Sequence, residues 1–281
     1  MVENRGWLLI LTHVVLILGV GILAFPIWVA FVASTHELET LLVPPTPLLP
    51  GSEFFENYYK ALTQGAKAVG APVWLMMFNS LVMALGITFG KITISMLAAF
   101  AIVYFKFRFR MFFFWMIFIT LMLPVEVRIL PTYKVVSDLG MLDNYAGLTI
   151  PLIASATATF LFRQFFMTVP DELTEAARVD GAGPMRFFKD ILFPMSRTNI
   201  AALFVILFIY GWNQYLWPLL ITTDESMYTI LIGINRMLAV GDSQAEWQII
   251  MATTMLAMLP PVAVVVFMQK MFVQGMTETE K

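Results

Sequence analysis

The chain has 281 residues, of which 59% are hydrophobic and only 13% charged, with 17 basic against 19 acidic side chains. A soluble domain carries about 25% charged residues, so this sequence lacks the polar surface to face water and must be solvated by lipid. No basic surplus exists for nucleic acid, and the absence of cysteine excludes disulfides, thiolate catalysis and Cys-ligated metals.

A helix needs about 20 mostly apolar residues to cross a bilayer. Six stretches qualify: Trp7–Ala33, Trp74–Tyr104, Met111–Leu130, Tyr145–Phe162, Ile200–Ile221 and Ile249–Phe272. The expected fold class is all-α, a polytopic membrane protein of about six transmembrane helices, with one membrane domain over residues 1–281. The first stretch is followed by Val32-Ala33-Ser34, a passable signal-peptidase site, but its apolar run exceeds the usual signal core and Glu3 dilutes the charge before it. It reads as an uncleaved first helix. His13 within it reads as a packed or hydrogen-bonded residue, and with His36 far along the chain the two make no metal cluster.

An outer loop, residues 34–72, follows with the turn-rich Pro44-Pro45-Thr46-Pro47 and Pro50-Gly51. The second span is too long: Trp74 to Tyr104 would measure about 46 Å against a core of about 30 Å. Tilt, a kink near Gly86 or Gly90, or extension beyond the bilayer must absorb the difference. Gly86 to Thr93 superficially resembles a phosphate-binding loop. Three residues rather than four separate its glycines, Ile92 follows Lys91, and no strand precedes it. Gly86 and Gly90 read instead as a small-residue pair for close helix packing, so no ATP site is expected on this chain.

Lysine and arginine counts set the orientation. One set of connections and termini holds 11 of them and the opposite set only Lys60, Lys67, Lys134 and Arg236. Lys91 and Arg128 lie inside or at the edge of spans. Both termini are therefore expected in the cytoplasm.

The longest inner connection, residues 163–199, has internal order. Thr168-Val169-Pro170-Asp171-Glu172 reads as a helix start, with Thr168 or a neighbour as cap, proline in the first turn and acids at the positive dipole end. That helix places Leu173, Ala176 and Ala177 on one side and stops at Gly181. A second starts at Gly183-Pro184, carries Phe187, Phe188, Ile191 and Leu192 on one face and ends at Pro194. Two readings stay open from the residues alone: an interfacial amphipathic pair that joins two spans, or a docking element. A shallow face at Ala176 and Ala177, beside the polar Glu175, Arg178 and Asp180, favours docking.

Glu175-Ala176-Ala177, Gly181 and Ile191-Leu192-Phe193-Pro194 resemble the EAA motif of binding-protein-dependent ABC importer permeases, with the family's spacing and Phe193 where leucine is usual. Asn79-Ser80, Leu123-Pro124 with Pro131, Leu139 to Asn144 and Trp212 to Leu219 resemble the same family in order. The resemblance implies a type I ABC importer permease fold in the bacterial inner membrane. It implies that Glu175, Ala176, Ala177, Asp180, Gly181 and Pro194 couple to an ATPase. The implied partners are a second homologous permease, an ATPase dimer that holds ATP and Mg, a periplasmic substrate-binding protein and membrane lipid. No cofactor is expected on this chain. Phe113–Ile129, Ala154–Thr168 and Phe208–Leu220 are most similar to the second permease subunits of glycerophosphate importers. This implies sn-glycerol 3-phosphate as substrate, with glycerophosphodiesters or a sugar or oligosaccharide as alternatives.

Polar side chains at bilayer depth are costly and so mark function. Lys91 lies about 20 Å of helix from Tyr104; Glu126 and Arg128 sit near the outer end of the third span; Asn213 and Gln214 interrupt the fifth. For a phosphate dianion, Lys91 and Arg128 would offer charge, and Asn79, Asn213 and Gln214 hydrogen bonds. Structural roles compete: Glu126 and Arg128 pairing with a partner permease, Asn213 bonding across helices, Lys91 neutralising a buried carboxylate. An ion-coupled carrier would need intramembrane acids and repeated halves, and an enzyme would need a nucleophile–base pair or carboxylate dyad. The sequence offers only Glu126 near the membrane interior, no convincing repeat, and no nucleophile–base pair or carboxylate dyad.

Overall fold

The computed structural model describes residues 6–123, 125–239 and 244–277; the side chains of residues 6, 120–122, 125, 126 and 272–277 lie outside that description. All described regular structure is helical. In chain order the helices are α1 (Gly6–Ala33), α2 (Leu38–Leu42), α3 (Phe54–Thr63), α4 (Val73–Tyr104), α5 (Arg110–Met122), α6 (Val125–Asp138), α7 (Tyr145–Thr149, continued by a 3-10 turn at Ile150–Leu152), α8 (Ala156–Met167) and α9 (Asp171–Val179). There follow α10 (Pro184–Met195), α11 (Arg197–Trp212), α12 (Leu216–Ile221), α13 (Ile230–Leu238) and α14 (Trp247–Thr277).

Among these, α1, α4 and α14 are long and apolar enough to cross a membrane alone; two bent pairs, Tyr145–Leu152 with Ala156–Met167 (51°) and Pro184–Met195 with Arg197–Trp212 (72°), raise the number to five. The third expected span, Met111–Leu130, is not one helix. Leu123 caps α5 with extended backbone (φ −65°, ψ 130°), the conformation a following proline imposes, and α6 begins at Val125. The fifth expected span breaks after Trp212, where Asn213 caps α11, and resumes at Leu216.

Contacts divide the chain into two compact units, one ending at Leu75 and including Gly233–Leu259, the other Met76–Ile232 with Pro260 onward. In the first, α1 is apolar on every side and exposed from residue 7 to 28. Two of its polar side chains turn back on the helix: Thr12 Oγ1 donates to Leu8 O (2.8 Å), and His13 Nδ1 lies 2.7 Å from Leu9 O. Residues 34–72 are folded rather than loose. Asn57 Nδ2 donates to Ser34 O (3.0 Å) and His36 O (2.9 Å), and Gly51 N–H to Thr35 Oγ1 (2.8 Å). Glu246 accepts from Lys60 Nζ (3.3 Å) and the Lys67 N–H (3.0 Å).

α4, which lies in the second unit from Met76 onward, runs 32 residues without a described break. A Cβ on Gly86 would lie 2.8 Å from Thr149 Cγ2, and one on Gly90 would collide with Ile153. The expected close-packing pair is therefore what seats α7 and its 3-10 turn on α4. Gly211 does the same for α11, its would-be Cβ 2.9 Å from Ala84 Cα. Asp143 pins the turn before α7: it accepts from the N–H of Thr223 (2.6 Å), the Thr223 hydroxyl and the N–H of Asp224 (2.9 Å). Partial burial opposes the Asp143 charge, but these donors outweigh it and hold the carboxyl below the usual carboxylate range.

Candidate functional site

The segment between α8 and α11 is a two-sided element. Thr168 ends α8, its hydroxyl donating to Phe165 O (2.7 Å), so it does not cap α9. Pro170 takes the cap position itself (φ −58°, ψ 137°), outside the first turn, and Asp171 and Glu172 follow in that turn. At the other end Gly181 adopts φ +72°. The Gly181 N–H then reaches Arg178 O (3.0 Å) and the Ala182 N–H reaches Ala177 O (2.8 Å). These two bonds form a Schellman stop, completed by apolar packing of Ala182 near Ala177. The spacing of the motif is thus the length of one capped helix.

α10 starts at Pro184, as expected, but continues past Pro194 to Met195 through a π turn at Phe188–Leu192. A proline has no N–H for the residue four before it, and its ring crowds that carbonyl; the helix widens directly ahead of Pro194 to accommodate this. Ser196 Oγ donates to Leu192 O (2.6 Å) before the chain bends into α11.

Ala177, Phe187 and Leu192 are buried in a core shared with Phe100 of α4 and Phe162 and Phe166 of α8. The Tyr104 ring stands 5.2 Å from Phe187, and its hydroxyl donates to Phe166 O (3.2 Å). Burying Phe187 and Leu192 contributes about 3–6 kcal/mol, enough to seat α9 and α10 firmly on the ends of α4 and α8. Glu175, Ala176, Asp180 and Gly181 are exposed. The two adjacent alanines therefore divide the work: Ala177 faces inward and Ala176 outward. Val179, 87% exposed, joins the outward face, and its signal in the sequence was an apolar residue three positions after Ala176.

A second group lies on α4, α6 and α11. Lys91 is buried, with Nζ 3.8 Å from the centroid of the Tyr210 ring. Among the described residues no carboxylate pairs with it; Arg128, half-buried on α6, acts on it as a like charge. Tyr210 was missed by the sequence reading, since nothing in the sequence sets α11 beside α4. Gln214 Nε2 turns back to Tyr210 O (3.1 Å), and Asn213 is exposed. The Glu126 side chain lies outside the described residues.

Asn79 stands apart from this group. It is fully buried, donates through Nδ2 to Ser226 O (2.8 Å) and Tyr228 O (2.9 Å), and accepts from the Tyr145 hydroxyl (2.6 Å). Its neighbour Ser80 Oγ accepts the Ile230 N–H (2.8 Å). The pair clamps residues 226–230 to α4. Trp217 is likewise packed, with Nε1 donating to Gly147 O (3.0 Å).

The whole fold matches a bacterial ABC transporter involved in the import of the acidic polysaccharide alginate, with a TM-score of 0.82 over 96% of this chain and 98% of that one, at 20% identity. Residues 91–278 match the family described as binding-protein-dependent transport system inner membrane component. The chain belongs to that family: it is a transport subunit of a bacterial inner membrane and not an enzyme. Membership places ATP hydrolysis on a separate subunit and implies a binding protein and further subunits as partners. Among its relatives are the sn-glycerol-3-phosphate transport system permease proteins UgpE of Escherichia coli strain K12, Escherichia coli O157:H7 and Shigella flexneri serotype 5b. Each is 59% identical over 100% of both chains.

Proposed function

We propose that this chain is one of two permease subunits of an importer for sn-glycerol 3-phosphate. The observation that carries the substrate is the 59% identity over full length to permeases named for it. A homologous permease completes the pathway, an ATPase dimer binds ATP and Mg, and a periplasmic binding protein delivers the substrate. Both termini and the loop 163–199 lie on the cytoplasmic side, in keeping with the arginine and lysine distribution.

Glu175, Ala176, Asp180 and Gly181 meet the ATPase, while Ala177 and Pro194 hold that face in place. The burial of Phe187 and Leu192 supports this reading, because a firmly seated helix transmits a push that a loose one would absorb. ATP-driven closure of the ATPase pair then switches the permeases between inward-open and outward-open arrangements. Lys91 and Arg128 offer charge to the phosphate as it passes, with Glu126, Asn213 and Gln214 beside the same path. Asn79, fully bonded, shapes the path from behind. Contacts of this kind must be weak enough to release the ion, and a cation resting on a ring rather than on a carboxylate meets that condition.

The test is ATPase stimulation of the reconstituted complex by binding protein loaded with candidate ligands. Stimulation by glycerol 3-phosphate supports the substrate. Stimulation by a neutral sugar alone would overturn it and leave family membership intact.

A further inference from the structure

Where α4 ends, its last aromatic residues and α9 enclose a cleft of about 320 Å³. Phe100, Tyr104 and Phe187 form an aromatic lining, and the exposed Lys106 and Arg178 supply its charge. No carboxylate is among the described residues that line it; Asp171, which acts on Tyr104 as a nearby negative charge, stands outside the lining. An aromatic followed directly by a cation at the end of a span marks headgroup depth. Lys106, Arg108 and Arg110 fall within five residues of chain, and Arg178 brings a fourth cation from α9, a density that attracts acidic headgroups.

We propose that this cleft holds the headgroup of an acidic phospholipid, which braces α9 against the end of α4. The phosphate sits between Lys106 and Arg178, and the glycerol and upper acyl carbons lie on the aromatic lining. A soluble anion would use the two cations but gain nothing from that lining, whereas a lipid uses both. The bracing consequence rests on the reading of α9 as the ATPase contact; occupancy of the cleft does not.

The experiment uses the assembled importer in nanodiscs of phosphatidylcholine with and without phosphatidylglycerol. Native mass spectrometry counts retained phosphatidylglycerol, and ATPase rate is measured in parallel. Lys106→Gln and Arg178→Gln should each lower retention about fivefold. Lys106→Arg should keep it, and Arg186→Gln should leave it unchanged, since Arg186 is paired with Asp190 (3.4 Å). Faster coupled ATP hydrolysis with phosphatidylglycerol, lost in Lys106→Gln, supports the bracing. Equal retention in all variants, or displacement of the lipid by added inorganic phosphate, would overturn the lipid site. Retention that follows the cleft without any ATPase response would overturn the bracing alone.

Discussion

The Lys91 ammonium sits 3.8 Å above the centre of the Tyr210 ring, inside the membrane-spanning part of the chain. Such a contact is worth about 0.5–2 kcal/mol, less than a buried ion pair and so more readily exchanged for an anion. Lys91→Met should lower uptake of glycerol 3-phosphate strongly, and Arg128→Met should lower it too. Tyr210→Phe keeps the ring face and should transport nearly as the parent does, whereas Tyr210→Leu should fall between the parent and Lys91→Met. Uptake into vesicles is the measurement. Normal rates in both cation variants would remove Lys91 and Arg128 from the path.

Ala176 and Ala177 adjoin in sequence but face opposite ways, and one substitution at each separates docking from folding. Ala177→Asp buries a carboxylate and should destabilise the chain by about 3 kcal/mol or more. Ala176→Asp should change stability by less than about 0.5 kcal/mol yet abolish copurification of the ATPase. Thermal unfolding and pull-down, run on both variants, read the two effects independently.

Gly181 holds φ +72° with no atom within 4 Å of a would-be Cβ, so a side chain there costs conformation and not space. Gly181→Ala should loosen the end of α9 by about 1–2 kcal/mol, and Gly181→Asn by less, because asparagine tolerates the left-handed region. Protease nicking after Val179 and coupled ATPase rate should rank the three proteins in that order.

The Asn79 clamp predicts a graded loss. Tyr145→Phe removes one hydrogen bond and should cost about 1 kcal/mol. Asn79→Leu strands two carbonyls and the Tyr145 hydroxyl, and should cost at least twice as much. The reverse order in denaturation would show that the clamp does not hold residues 226–230.

Acid should loosen the turn that Asp143 pins. Its carboxyl is held below its ordinary value of 3.8, so the stabilisation is complete above that pH and is lost as pH falls through the lower folded value. Asp143→Asn should weaken the turn at neutral pH and flatten that acid response. Hydrogen exchange at the Thr223 and Asp224 amides between pH 2 and 6 measures it.

The helical class, the short helix that stops at Gly181 and the close-packing glycines were all legible, because composition, capping and small-residue spacing are local signals. Pro124 and Asn213 also carried the breaks in the third and fifth spans, but hydropathy averages over such single residues. The inward and outward division of Ala176 and Ala177 needed the fold, since both alanines suit either side. So did Tyr210, whose pairing with Lys91 arises only when Gly211 lets α11 approach Ala84.

In an α-helix, residues five apart point about 140° away from each other, yet Phe187 and Leu192 are both buried in one core. The π turn between them makes this possible by holding an extra residue in the coil. Chain length across Phe188–Leu192 is therefore a phase setting between α9 and α11. Deleting one residue there would leave every motif residue in order but rotate α11 by about 100° relative to α9. The chain would then present lipid-facing side chains to its own core, with α9 mechanically out of step with α11.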